Sequence, residues 1–218
     1  MNINFKMKIV SVILARGGSN GIPNKNIMLL KDKPLIQYSI DASLSSKVHA
    51  TWVSTDCESI KNIALQCGAN ILDRPIELAS DTSPSEDALL HFSDNVDFDI
   101  LVFLQPTSPL ILYQDINTGL DELISKGYDS LFSVYREHWI PRWSLQLEPN
   151  NWDINNRPMR QNKNELLVEN GAIYISTRKQ LLSSQLRYGG KIGYIEMPLY
   201  RSFQIDTKED VELIKRLL

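Results

Sequence analysis

Short apolar runs alternate with longer stretches whose apolar residues recur at helical spacing. Ile9-Val10-Ser11-Val12-Ile13-Leu14 is β-branched and too short for a helix, so it predicts a buried strand. Pro34 suits a first helical turn, and Leu35, Ile36, Ser39, Ile40 and Ser43 then share one face, which predicts a helix over 34–45. The pattern continues with a strand at 50–54, a helix at 59–67 stopped by Gly68, and a strand at 70–72. A helix follows at 86–92, and Ile100-Leu101-Val102-Phe103-Leu104, the most apolar run, predicts the central strand. Then come a helix at 115–126 and strands at 130–134, 171–175, 191–197 and 203–206. Thr207-Lys208-Glu209-Asp210 has the form of a capping box opening a last helix over 211–218. Strands alternating with helices across short joints pair in parallel through right-handed crossovers, so the expected class is α/β.

One stretch breaks the rhythm. Over 137–164, Trp139, Trp143 and Trp152 stand among Asn, Pro, Arg and Gln with no sustained period. Tryptophans in so polar a segment suggest an arm that buries them against something else, a partner subunit before a lid.

Length and composition narrow the picture. A chain of 218 residues, 43% hydrophobic and 22% charged, suits one α/β domain with a real core. A net charge of -3 with no Lys/Arg run leaves no footprint for nucleic acid. Without any run of ~18 apolar residues, no membrane span is expected. Lys6 and Lys8 before an apolar run faintly suggest a signal peptide, but the run is short and Arg16 follows it. Residues 1–6 read instead as a loose leader, with Met7 an alternative start. Cys57 and Cys67 lie ~15 Å apart along a helix, too far to pair, so reduced thiols and a cytoplasmic setting are expected.

The candidate chemistry sits in loops that follow strands. Residues 14–26 read L-A-R-G-G-S-N-G-I-P-N-K-N: Gly17, Gly18 and Gly21 let backbone N–H groups approach a ligand, and Arg16 and Lys25 add positive charge. This is a phosphate cradle, but neither a Walker loop nor the G-x-G-x-x-G of dinucleotide folds. Residues 54–56, 74–85 and 105–108 form further polar loops, and open α/β sheets bind ligands outside the carboxyl ends of their strands. With Asp206 as a carboxylate suited to a metal, the set fits a nucleoside triphosphate.

Arg16-Gly17-Gly18-Ser19-x-Gly21-Ile22-Pro23-x-Lys25-Asn26 resembles the opening signature of the acylneuraminate cytidylyltransferases, the CMP-sialic acid synthetases. The resemblance continues through Val53-Ser54-Thr55-Asp56, Arg74-Pro75-x-Glu77-Leu78-Ala79-x-Asp81 and Gln105-Pro106-Thr107-Ser108-Pro109-Leu110. It closes with Asn170-Gly171-Ala172-Ile173-Tyr174 and Ile205-Asp206-Thr207-x-x-Asp210, spanning nearly the whole chain in order. It implies a Rossmann-like nucleotidyltransferase fold, a mostly parallel sheet flanked by helices, with 137–164 as an inserted dimerisation arm and a homodimer as the assembly. It also implies CMP transfer from CTP to the anomeric hydroxyl of a nine-carbon acidic sugar, with Mg²⁺ and release of pyrophosphate. By resemblance, Arg16, Gly17, Gly18, Ser19 and Lys25 hold the triphosphate, while Asn26, Arg74 and Ser85 hold the cytidine. Gln105, Arg160 and Tyr174 hold the sugar, Asp206 binds the metal, and Arg16, Lys25 and Asp206 carry the catalysis.

The chain departs from the family pattern twice. Asn20 stands where many relatives place a basic residue, and Gln204 where several carry an aspartate two positions before the metal carboxylate. Both remove charge from the site. His49, His91 and His138 have no metal-ligand spacing, Asp56 suits either a helix cap or a functional role, and Ser108 has no evident base partner. Rival readings are a sibling enzyme for legionaminate, pseudaminate or an octulosonate, and a non-catalytic nucleotide-binding scaffold.

Overall fold

The computed structural model describes residues 7–19, 21–162 and 165–218. The expectations for the leader at 1–6 and for Asn20 lie outside these residues. In chain order the elements are β1 (Ile9–Leu14), a hairpin of β2 (Leu29–Leu30) and β3 (Lys33–Pro34), α1 (Leu35–Leu44), β4 (Ala50–Thr55), α2 (Glu58–Gln66), β5 (Asn70–Asp73) and α3 (Ser85–Asn95). There follow β6 (Ile100–Leu104), α4 (Tyr113–Lys126), β7 (Ser130–Glu137), β8 (Arg142–Trp143) and β9 (Pro149–Asn150). The chain continues with β10 (Leu166–Thr177), α5 (Arg178–Ser184), β11 (Ile192–Glu196) and α6 (Lys208–Leu217).

A seven-stranded sheet runs in the order β11-β7-β10-β6-β1-β4-β5, with β6 in the middle as its apolar run predicts. The sheet is mostly parallel; β10 alone runs antiparallel, against both β6 and β7. Strand alternation divides the core. Ile9, Ile13, Val102 and Leu104 pack with Ile36 and Ile40 of α1, Ile60 of α2 and Ile116 and Leu120 of α4. Val10, Val12, Leu101 and Phe103 pack on the other face with Leu89 and Phe92 of α3 and Leu181 of α5.

A third cluster positions the site. Ile22 from the glycine loop packs with Leu30 of the hairpin, Leu35 of α1, Leu110, Ile205 and Ile214 of α6. Burying these apolar groups together draws the chain near its carboxyl end onto the loop after β1.

Three expectations change. The strand predicted at 171–175 extends over Leu166–Thr177, interrupted by a bulge in which residues 170–173 face Ser133 alone. Asn170 makes the bulge possible: buried, it accepts from Ser133 Oγ at 2.6 Å and Ala172 N at 3.2 Å and donates to Ser202 Oγ at 3.0 Å. Residues 203–206 form no strand; Ile205 N donates to Thr107 O at 2.9 Å, one bond that ties this segment to the loop after β6. Helix α5 was not predicted, because only Leu181 and Gln180 of its short, polar sequence are buried; Thr177 caps it by accepting from Gln180 N. The box at 207–210 forms as predicted, and burial pushes the Asp210 carboxyl up, outweighed by N–H donation from Asp206 and Thr207 that holds it below its usual range.

Residues 138–162, between β7 and β10, lie outside the seven-stranded sheet and supply no residue to its core clusters, so they project from it. They carry the β8–β9 hairpin, on which Trp143 and Trp152 meet edge-to-face at 4.8 Å, and Trp152 Nε1 donates to Arg142 O at 3.0 Å. Leu145 is 97% exposed and Leu147 77%. Cys57 and Cys67 flank α2 as free thiols, and among the described residues no helix is long and apolar enough to cross a membrane.

Candidate active site

The loop after β1 stays close to its neighbours because its glycines have no side chain. A Cβ at Gly17 would lie 2.8 Å from Cys57 Cβ, and one at Gly21 would lie 2.8 Å from the Asp206 carbonyl oxygen. Close approach is therefore what these glycines supply; the left-handed turn of the loop falls on Asn24, at φ 52°. Gly17 N donates to Asp56 Oδ1 at 2.9 Å, so its N–H is engaged by the protein itself. Asn26, buried, donates from Nδ2 to Arg16 O at 3.0 Å and so braces the two ends of the loop against each other.

Both loop cations meet carboxylates. Arg16 Nη1 donates to Asp81 Oδ1 and, at 3.5 Å, to Ala79 O. Lys25 Nζ donates to Ile205 O at 2.9 Å and to Asp206 Oδ1 at 3.0 Å. Arg74 is 8% exposed; it donates from Nε to Ser54 Oγ at 3.2 Å and from Nη2 to Ser54 O at 2.6 Å. Desolvation lowers its pKa to about 10, which leaves it charged near neutrality, and the Asp56 charge opposes the shift.

These groups surround a cleft of about 520 Å³ lined by Arg16, Ser19, Lys25, Asn26, Arg74, Ser85, Gln105 and Asp206, with Phe103, Thr107, Ser80 and Ser83. It lies at the carboxyl ends of β1 and β6, where the topology places ligands. A neighbouring cleft of about 410 Å³ is lined by Gln105, Tyr135, Val168, Glu169, Asn170, Gly171, Tyr174, Ser202 and Gln204. Gln105 belongs to both. Tyr174 is 4% exposed, stacks on Phe103 at 5.5 Å and donates its hydroxyl to Glu169 Oε1. Burial, then that bond to Glu169, push the Tyr174 phenol well above its usual range, so it stays a donor. Arg187 stacks over Tyr174 at 5.0 Å and is held by Glu86, Nε–Oε1 at 2.6 Å and Nη2–Oε2 at 3.0 Å.

The structure thus gathers eight predicted residues around one cleft and Tyr174, with Gln105, around the next. It does not bring in three others. Gly17 and Gly18 shape the loop but line neither cleft, and Arg160 sits exposed in a 3-10 turn (Arg160–Asn162) on the projecting segment, also outside both. Asp56 caps no helix, since Cys57 takes the cap position of α2; its carboxylate pins the glycine loop. Sequence reasoning gave no site role to Glu169, Glu86 or Arg187. The latter two are 101 residues apart, so no local spacing announces the pair.

For a metal, the described residues hold no group of three His, Cys, Asp or Glu side chains. Asp206 lines the nucleotide-sized cleft with its carboxylate 67% exposed. Gln204 does not join it: its Nε2 donates to Asn170 O at 2.5 Å and it lines the other cleft. One exposed carboxylate beside a phosphate-sized cradle still fits Mg²⁺, which takes one or two carboxylates and completes its shell with phosphate oxygens and water.

The profile of the Cytidylyltransferase family matches residues 10–218. The chain belongs to that family. It is 39% identical over 211 residues to N-acylneuraminate cytidylyltransferase A of Danio rerio, a match that covers 93% of this chain and 49% of the relative. It spans about half the length of the curated relatives it matches first. It is 33% identical to the CMP-N,N'-diacetyllegionaminic acid synthase of Legionella pneumophila subsp. pneumophila, with 97% of each chain covered. The structure of CMP:2-keto-3-deoxy-manno-octonic acid synthetase complexed with CTP superimposes with a TM-score of 0.75 at 22% identity, covering 96% of this chain and 98% of that one. At that identity the likeness shows the shared fold alone, a mostly parallel sheet flanked by helices.

Proposed function

We propose that this chain transfers CMP from CTP to the anomeric hydroxyl of a nine-carbon acidic sugar, a sialic acid or a sialic-acid-like nonulosonate, and releases pyrophosphate. One observation carries the proposal: a cationic cleft containing Arg16, Lys25 and Arg74 shares Gln105 with a polar cleft beside it. A nucleotide in the first and a sugar in the second would meet at that shared residue. Relatives named for N-acylneuraminate and for diacetyllegionaminic acid support this substrate class.

In this reading Arg16, Ser19 and Lys25 hold the triphosphate, and Asn26, Arg74 and Ser85 hold the cytidine. The sugar oxygen attacks the α-phosphorus, and charge builds on the phosphoryl oxygens and the departing pyrophosphate. Positioning and fixed positive charge supply most of the acceleration in such transfers. Arg16 and Lys25 exchange their bonds to Asp81 and Asp206 for bonds to phosphate oxygens. Asp206 would hold Mg²⁺, and the ion would supply neutralising charge to the phosphates. Gln105 and Tyr174 border the sugar, and Arg160 reaches its carboxylate only if the projecting segment folds over a site. Residues 137–164 act as a dimerisation arm, their exposed apolar side chains covered by a second subunit. Unpaired thiols fit a reducing, cytoplasmic setting.

The test is pyrophosphate release from CTP and Mg²⁺ with N-acetylneuraminate, N,N'-diacetyllegionaminate and 2-keto-3-deoxy-manno-octonate. Release with a nonulosonate is expected. CTP binding without release for any sugar would instead identify a non-catalytic nucleotide-binding protein.

A further inference from the structure

The second cleft has an unexpected charge. Its lining includes one carboxylate, Glu169, and no cation among the described residues. Arg187, whose guanidinium lies 5.0 Å over the Tyr174 ring, forms a bidentate pair with Glu86 and does not line the cleft. Glu169 is exposed. Its Oε1 accepts from the Tyr174 hydroxyl, and its Oε2 has no partner among the described residues. Tyr174 stacks with Phe103 and Tyr188 and lies under Arg187, so its hydroxyl is a well-placed anchor for one oxygen of the Glu169 carboxylate at the cleft wall.

An acidic sugar cannot lay its own carboxylate against that group. Like charges repel, and a carboxylate has no proton to share with another. The sugar must therefore enter with its carboxylate and anomeric centre toward Gln105, which borders the cationic cleft, and its far end toward Glu169. An ionised carboxylate only accepts hydrogen bonds. A hydroxyl donates to it as readily as an amide N–H does, but a hydroxyl can also turn and accept when its partner becomes a donor, whereas an amide N–H can only donate. We propose that Glu169 is a specificity-determining residue that accepts a hydrogen bond from an acylamino N–H on the distal part of the sugar, through the carboxylate oxygen that Tyr174 leaves unused. This rests on the reading of the reaction given above.

The substitution Glu169→Gln tests it. Glutamine keeps the size and one acceptor oxygen; with that oxygen turned to Tyr174, its NH₂ faces the sugar's N–H, donor against donor. Pyrophosphate release is followed for the wild type and the variant with N-acetylneuraminate, N,N'-diacetyllegionaminate and 2-keto-3-deoxy-manno-octonate, which lacks an acylamino group. The expected result is a fall of roughly tenfold in kcat/KM for whichever acylamino sugar the wild type uses, the size of one lost polar contact. The KM for CTP and the residual rate with the octonate should stay within about twofold. An equal loss with every sugar would make Glu169 a structural support for Tyr174 and overturn the inference, as would no loss or a wild type that uses the octonate alone. No release by the wild type with any sugar overturns the reading of the reaction itself, and this inference with it.

Discussion

At the scale of single residues, the site shows cations held in place by carboxylates before any ligand arrives. Arg16 is bonded to Asp81 and Lys25 to Asp206, in pairs whose acidic members are more than half exposed. Exposed ion pairs add little to stability, ~0–1 kcal/mol, because water screens them. The same cations facing a developing phosphoryl charge are worth far more. Arg16→Ala should therefore lower kcat/KM by ~3 kcal/mol, on the order of a hundredfold, with the melting temperature nearly unchanged. Steady-state kinetics beside a thermal melt separates the two effects, and a large fall in melting temperature would mark Arg16 as structural. Asn26 is the converse case. It is buried and braces the loop through Arg16 O, so Asn26→Ala leaves that carbonyl without its donor and should cost ~1–3 kcal/mol in denaturant unfolding.

At the scale of elements, β10 decides the shape of the second cleft. Gly171 stands in the bulge at φ 68°, and a Cβ there would collide with Gln204 Nε2. Gly171→Ala combines left-handed strain of ~1–2 kcal/mol with displacement of Gln204, and should lower unfolding stability by at least that strain. Helix α3 is tied to the stretch after α5 by Glu86 and Arg187. The hydrogen bond from Arg187 holds the Glu86 carboxyl below its usual range, against a smaller opposing effect of burial. A carboxyl depressed in the folded state stabilises fully above its unfolded pKa of ~4.3, and that stability is lost as pH falls through the folded value. Wild type should thus melt higher than Glu86→Gln at neutral pH, and the gap should close on acidification below pH ~4. A gap that stays constant with pH would mean the pair contributes through packing alone.

At the scale of the molecule, the projecting segment is the part left unexplained by the sheet. Trp143, Leu145 and Leu147 expose apolar surface that a lone subunit has no reason to keep. Light scattering should find a dimer, and Leu145→Asp with Leu147→Asp should shift it toward monomer; a wild-type monomer would sink the dimerisation arm.

Much of this was legible in the chain itself. Short continuous apolar runs fix β1 and β6, which are buried on both faces, and a period of 3.6 fixes α1, because burial imposes its spacing on the residues that are buried. That Arg16, Lys25, Arg74, Gln105 and Asp206 gather at one cleft was legible, since each lies in a compact motif beside a predicted strand end. Three things were decided only by the tertiary structure. Arg16–Asp81, Lys25–Asp206 and Glu86–Arg187 join residues far apart in sequence, and no local pattern records such a pairing. The bulge in β10 depends on Asn170 finding Ser133 and Ser202, which makes a break in strand periodicity into a wall of the second cleft. The location of Arg160, outside both clefts, follows from the course of a segment with few core contacts, where sequence spacing has no packing to enforce it. Local sequence determines which backbone form is cheap and which face must be buried; which distant side chains then share a cleft is settled only when those faces close on one another.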